Sequence, residues 1–325
     1  MRAPITLDLH LPNFNHPDTP PDALFERIVE IAKAAEDNGF STVSVMDHLH
    51  QIRGIGPQTN YMLEGNTILA GIAARTSRAS LGLLVGAVTY RNPALLAKIT
   101  TTLDIISGGR AILGIGAAWF EDEHRAYGFD FPPLRERFER LEDALNIARA
   151  MFTQEEATYE GRRHSVRGAL NNPKPLRGDI PIVIGGSGER KTLRLVAQYA
   201  DGCNFFGDVD RVRHLLGVLE RHCEDVGRDP AEITKTRMAS IVIGPTHEAA
   251  QRKLAALTER AGPVAERVRT MSLVGDPDGI AEQVQRYVDV GIEGLTVTLP
   301  DVHDLETVAL AGRTLGAVLG LPAVA

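Results

Sequence analysis

Cysteine is nearly absent: Cys203 and Cys223 are the only two in 325 residues, and neither stands in a CxxC pair. A disulfide framework and a zinc site are both excluded by that scarcity, no metal is expected, and a reducing cytoplasm fits best. There is no run rich in Lys or Arg, and 35 basic against 42 acidic residues leave a net charge of −7. Nothing in this pattern neutralises a phosphate backbone, so no nucleic-acid partner is expected. Long apolar runs are missing too. The longest, residues 81–88, falls far short of a membrane span of about 18 residues. Residues 1–11 alternate polar with apolar side chains and lack the apolar centre of a signal peptide, so neither export nor a membrane anchor is expected.

What is present is a regular alternation of strand and helix signals over one expected domain, residues 1–325. Strands are expected at 5–11, 42–46, 80–85, 111–115, 181–185, 203–206, 236–243 and 294–299. Between them lie helical periodicities. Leu24, Ile28, Ile31 and Ala35 recur until Asn38-Gly39 stops them, and a second helix spans about 63–74. Asn92-Pro93 starts a third, with Leu95, Ile99, Leu103 and Ile106 as its expected buried face and Ser107-Gly108-Gly109 as its end. Leu134, Phe138, Leu141 and Leu145 mark the next, and helices at about 189–199 and 305–319 follow. Parallel strands joined by right-handed crossover helices wind into an open sheet or a closed barrel, and eight such units predict an α/β fold of the (β/α)8 TIM-barrel type. Strands four and five lie about sixty residues apart and strands seven and eight about fifty, so insertions after strands 4 and 7 are expected to help build the substrate pocket.

Reactive groups in such barrels sit at the C-terminal ends of the strands. Asp47-His48 ends the second strand, where an acid and an imidazole serve as chemistry or as a cap and a surface histidine. The fourth strand runs into Gly114-Ile115-Gly116-Ala117-Ala118-Trp119, whose small residues let a planar ring lie near the backbone, with Trp119 and Phe120 as walls. The bland reading is a tight turn with Trp119 in the core, and Trp119 stands where a dinucleotide fingerprint needs its third glycine. Gly185-Gly186-Ser187-Gly188-Glu189 precedes a helix and fits an anion cradle of backbone N–H groups. It misses a nucleophile elbow at Glu189 and the Walker pattern at Arg190. Glu121, Glu123 and His124 read as a solvated loop or helix start, because Glu123-His124 lacks a zincin's second histidine. His10, Tyr90 and Arg91 point to the same rim, as packing or capping groups or as pocket lining.

The ordered blocks Asp47-His48, LGLLVGAVTYRNP, SGGRAILGIGAAWFEDEH and IGGSGERKTLRLVAQYADG resemble the luciferase-like monooxygenase superfamily, from Leu7 to about Val297, and are most similar to its branch that uses the deazaflavin coenzyme F420. The resemblance implies a homodimeric barrel with a non-prolyl cis peptide near Leu84-Val85 behind the cofactor's central ring. It implies that Asp47 hydrogen-bonds the ring, that His48 is the catalytic residue on its reactive face, and that Gly186, Ser187 and Gly188 cradle the tail phosphate. Leu84, Val85, Gly116, Ala117, Ala118 and Gly185 complete the implied cofactor-binding set. The implied reaction moves a hydride between F420 and a small organic substrate. An FMN-dependent monooxygenase and a non-catalytic flavin- or deazaflavin-binding protein are the alternatives. One departure stands out: the sugar-phosphate dehydrogenases of this branch carry a proton-donating glutamate where Trp119 stands, which argues against glucose 6-phosphate oxidation and leaves His48 as acid or base.

Overall fold

The computed structural model describes residues 2–262 and 265–322; the expected domain therefore extends past the described residues at both ends. Eight parallel strands close on themselves: β1 (Leu7–Leu11), β2 (Thr42–Val45), β3 (Ser80–Leu83), β4 (Ala111–Gly116), β5 (Ile182–Gly185), β6 (Gly202–Phe205), β7 (Thr234–Ile243) and β8 (Gly294–Thr298). Each pairs with the next, and β8 returns to β1 through Leu295↔Leu7 and Val297↔Leu9, so no edge is left open. The TIM barrel expected from the β/α alternation is the fold observed.

Strand residues alternate between two environments, as the pleat demands. Leu7, Leu9 and Leu11 face the helices and join Ile28, Ile31 and Ile72 in the main core. The bottom of the barrel is closed by Ala3, Ile5, Ile112 and Val183, against which Leu84 packs. Residues 3–5 thus act as a plug rather than as the start of β1: Ala3 N–H donates to the Asp201 carbonyl and Thr234 Oγ1 donates to the Ala3 carbonyl.

β3 breaks after Leu83. A cis peptide joins Leu84 to Val85, and pairing resumes at Gly86–Ala87, which lie beside Ile115 and Gly116. The insertion after β4 holds the helices Glu121–Tyr127 and Leu134–Thr153 and an antiparallel hairpin, Glu156–Glu160 with Ser165–Leu170. The hairpin packs on helix Leu134–Thr153, where Asp143 accepts from Tyr159 and from the backbone of residues 162–164. The short helix of this insertion reaches the barrel mouth, and Arg137 of the longer one bonds to the turn that follows β4. In the insertion after β7, strand Ser272–Gly275 extends the sheet along the upper end of β7.

Helix Pro93–Ser107 starts as expected, with Asn92 capping Ala94 and Leu95, but its expected buried face is corrected. Leu96, Ala97, Thr100, Leu103 and Asp104 face inward, whereas Leu95 and Ile106 are 55% and 44% exposed. The inward stripe absorbs Thr100 because its hydroxyl bonds back to the Leu96 carbonyl, and Asp104 because it accepts from the backbone of Ala111 and Leu176, so apolarity alone misplaces the face.

Candidate functional site at the barrel mouth

Of the expected positions, Asp47, Gly116 and Gly185 gather around the Leu84-Val85 bulge. Asp47 Oδ2 accepts from Ala87 N–H at 2.9 Å, directly beyond the bulge, and the Val85 side chain lies between β4 and β5. A Cβ added to Gly116 would stand 3.0 Å from Val85 Cγ2, one added to Gly185 would stand 2.5 Å from it, and one on Gly114 would strike the Leu83 carbonyl oxygen at 1.8 Å. These glycines therefore make room for the bulge itself, and only through it for anything lying above.

Asp47 is almost wholly buried and forms a two-pronged ion pair with Arg91, at 2.7 and 2.8 Å. Arg91 also reaches Glu64, which caps helix Gly65–Ala73. Burial works against Glu64's charge, yet the Thr67 hydroxyl and N–H and the Arg91 guanidinium hold its carboxyl at about 2. Tyr90 and Arg91 are thus not idle rim residues: each is bonded to a carboxylate of the site.

His48 has a partner that the sequence reading placed in a solvated loop. Glu123, in the first turn of helix Glu121–Tyr127, has no exposed side-chain surface, and its Oε2 lies 2.9 Å from His48 Nδ1. The same oxygen accepts from the Tyr90 hydroxyl, and Oε1 accepts from the backbone N–H groups of Leu49 and His50. Burial pushes the Glu123 carboxyl up, but the hydrogen bonds from His48, Tyr90 and the His50 backbone outweigh it and hold the group at about 2. Burial and Glu123 together raise Tyr90 well above the ordinary phenol range, so its hydroxyl stays a donor. An ionised Glu123 requires a proton on Nδ1, which directs the lone pair of Nε2 outward. His124 is buried as well, between Thr89 Oγ1 at 2.6 Å and the Phe120 carbonyl at 2.8 Å. The solvated reading of Glu123 and His124 is therefore corrected. The available signal was the place of Glu123 in the first turn of the helix that follows β4.

Trp119 is 63% exposed, which excludes a place in the core; it stacks on Phe120 at 5.1 Å and meets the His48 ring edge-on at 5.7 Å. Ala118 takes a left-handed φ of 60°, and Arg137 donates to the carbonyls of Ala117 and Ala118, fastening this turn. At the end of β5, Gly186 has φ 108° and Ser187 Oγ is buried without a hydrogen-bond partner among the described residues. A Cβ on Gly188 would stand 2.8 Å from Thr192 Oγ1. The helix here is Thr192–Tyr199, beginning three residues later than expected, and Glu189 pairs with Arg211 and His214. His10, expected at the rim with Tyr90 and Arg91, is instead buried within the barrel, and its Nδ1 lies 2.9 Å from Ser44 Oγ.

A family model described as luciferase-like monooxygenase matches residues 6–294. The chain belongs to that family. This luciferase-like protein is 29% identical over 304 residues to the F420-dependent glucose-6-phosphate dehydrogenase of Microbacterium testaceum, a match covering 86% of this chain and 88% of that one. Among solved structures, an F420-dependent secondary alcohol dehydrogenase in complex with an F420-acetone adduct superposes with a TM-score of 0.80 at 17% identity, over 98% of this chain and 99% of that one. A long-chain alkane monooxygenase superposes with a TM-score of 0.82 at 16% identity, over 100% and 94%. At such identities the two structures support the barrel and nothing finer.

Proposed function

We propose that this protein is an F420-dependent oxidoreductase in which His48 moves the substrate proton while a hydride passes between the deazaflavin and a small organic substrate. The observation that carries the reading is the buried Glu123–His48 pair beside the glycine-relieved bulge: one side of the mouth is polar and poised, the other flat and apolar. The site fits a planar ring with an anionic tail, since Ser187 Oγ is an orphaned buried hydroxyl beside two glycines. In this proposal Gly186, Ser187 and Gly188 hold the tail phosphate. Leu84, Val85, Gly116 and Gly185 form the floor, Ala117 and Ala118 one edge, and Asp47 anchors the bulge on which the ring rests. When bound, the deazaflavin supplies the two-electron hydride chemistry.

Glu123 fixes the His48 tautomer and stabilises the imidazolium that forms when Nε2 accepts a proton, and Trp119 and Phe120 shield that ring from water. Arg91 is committed to Asp47 and Glu64, so it is not spare for a substrate phosphate, and the Trp119 indole has no acidic proton to supply. Both points favour a substrate other than a sugar phosphate. The proposal includes one domain over residues 1–325, a cytoplasmic setting consistent with two buried free thiols, and a homodimer joined through the exposed Leu95 and Ile106.

Titration with F420 and with FMN tests the cofactor: saturable quenching of deazaflavin fluorescence is expected. Tight binding of reduced FMN with no such quenching would defeat the reading. His48→Ala should lower turnover on the order of 100-fold or more with cofactor affinity little changed; full turnover in that variant would remove His48 from the chemistry.

A further inference from the structure

β1 and β2 carry a second array of proton-handling groups that the reaction described above does not use. Asp8 and His10 lie on the inward face of β1, and in the strand register His10 stands opposite Ser44. Ser44 Oγ donates to Asp8 Oδ2 at 2.8 Å and lies 2.9 Å from His10 Nδ1, giving an unbroken chain from imidazole through hydroxyl to carboxyl. Asp8 is fully buried, Ser44 is 3% and His10 4% exposed, and Asp8 Oδ1 has no hydrogen-bond partner. Among the described residues His10 Nε2 makes no hydrogen bond, and His48 is near enough to act on the His10 ring electrostatically.

We propose that Asp8, Ser44 and His10 form a second proton-transfer arm of the site, in which a proton accepted at His10 Nε2 is passed on and stored on the buried carboxyl of Asp8. This rests on the oxidoreductase reading for its purpose, but not for its chemistry. With Asp8 ionised, Ser44 donates its hydroxyl hydrogen to the carboxylate, so it must accept from a protonated Nδ1, and Nε2 presents a lone pair. When an O–H donor at the mouth gives a proton to Nε2, its electron pair stays on the donor oxygen. The Nδ1 proton then moves to Ser44 Oγ, and the Ser44 proton moves to Asp8 Oδ2. His10 ends neutral with its hydrogen on Nε2, and Asp8 ends as a carboxylic acid. Reversal returns the proton.

His10 is a carrier and not a store, because burial and then the neighbouring His48 push its pKa down to about 3, so it cannot rest as an imidazolium. Asp8 is suited to storage: burial pushes its carboxyl up to about 7 in spite of the Ser44 and Thr296 hydroxyls. The other strands packed around the pair face it with uncharged groups. Asn204 on β6 donates to Thr236 on β7 and Thr296 on β8, so among the described residues the titratable groups acting here are Asp8, His10 and His48.

The test uses the full chain without cofactor or substrate, labelled with 15N at histidine and observed from pH 5 to 9. His10 is expected to stay neutral throughout while its hydrogen moves from Nε2 to Nδ1 with a midpoint near pH 7. A carboxylic-acid carbonyl band should vanish from the infrared spectrum over the same range. Ser44→Ala should abolish the tautomer change while the infrared band persists, and Asp8→Asn should abolish both. Ser44→Ala removes a single oxygen, and the wild-type spectra alone decide the matter where Asp8→Asn does not fold. A single His10 tautomer from pH 5 to 9, or an unchanged tautomer titration in Ser44→Ala, would overturn the proposal. Because no cofactor is present, failure here leaves the deazaflavin reading standing, and failure of the F420 titration leaves this result intact.

Discussion

The two sides of the barrel interior are built on opposite principles. Along β3, β4 and β5 side chains are lacking: Gly114, Gly116 and Gly185 make room for the Leu84-Val85 bulge, and Gly82 lies tight against Ile112 on β4. Along β1, β2, β6, β7 and β8 the same level is filled with Asp8, His10, Ser44, Asn204, Thr236 and Thr296, joined by hydrogen bonds. One side makes a surface by steric permission, and the other a hydrogen-bonded polar network that leaves Asp8 Oδ1 and Asn204 Oδ1 without a partner among the described residues. A site that must both seat a flat apolar group and handle protons needs the two juxtaposed, and the mouth, where Glu123 meets His48, is where they join.

The contrast can be broken most severely at Gly114. Gly114→Ala places a Cβ 1.8 Å from the Leu83 carbonyl oxygen, a clash with backbone that no rotamer relieves. A loss of about 3 kcal/mol or more is expected in denaturant unfolding, and a loss below about 0.5 kcal/mol would show that the bulge shifts freely.

Next is Glu123→Gln, which leaves His48, Tyr90 and two backbone N–H groups around one neutral amide. About 3 kcal/mol of stability and on the order of 100-fold in turnover should go together. Its pH signature is distinctive. The folded-state pKa of Glu123 lies at about 2, below the ordinary 4.5, so its contribution is complete above pH 4.5 and is lost as pH falls through about 2. The stability gap between wild type and Glu123→Gln should therefore close with acid, and a gap independent of pH would refute the ionised state.

Asp8 has the opposite sign. Its folded-state pKa is raised from 3.8 to about 7, so folding is favoured by the neutral carboxyl below pH 3.8 and that advantage disappears as pH rises through about 7. Asp8→Asn should raise the melting temperature relative to wild type at pH 8 more than at pH 4; equal effects at the two values would place Asp8 among ordinary carboxylates. The smallest expected effect lies outside the barrel. Leu95→Ser with Ile106→Ser should change monomer stability by no more than about 0.5 kcal/mol, yet shift the sedimentation of the proposed homodimer to that of a monomer; a wild-type chain that sediments as a monomer would defeat the dimer proposal. A dimer that survives both changes would move the interface elsewhere.

The β/α alternation was legible because each strand and helix announces itself in its own periodicity, and all eight barrel strands fall where the apolar runs and turn signals put them. The helix Pro93–Ser107 shows the limit of that reading: Thr100 and Asp104 satisfy their polar groups locally and turn inward, and the apolar stripe of Leu95 and Ile106 is left outside. The site was half legible. Asp47, His48 and the glycines lie at strand ends, which position alone identifies, whereas Glu123 sits seventy-five residues from His48 and resembled an exposed helix start.

By itself, then, the sequence determined the barrel, the acid and imidazole at a strand end and the small residues around the bulge, because periodicity, capping and glycine act over a few neighbouring residues. Tertiary structure alone decided which carboxylate serves which partner: Asp47 goes to Arg91, Glu123 to His48, and Asp8 through Ser44 to His10. Such pairings follow from which side chains share a buried, water-poor space once the barrel has closed, where an unpaired charge is costly and each polar group must find a partner.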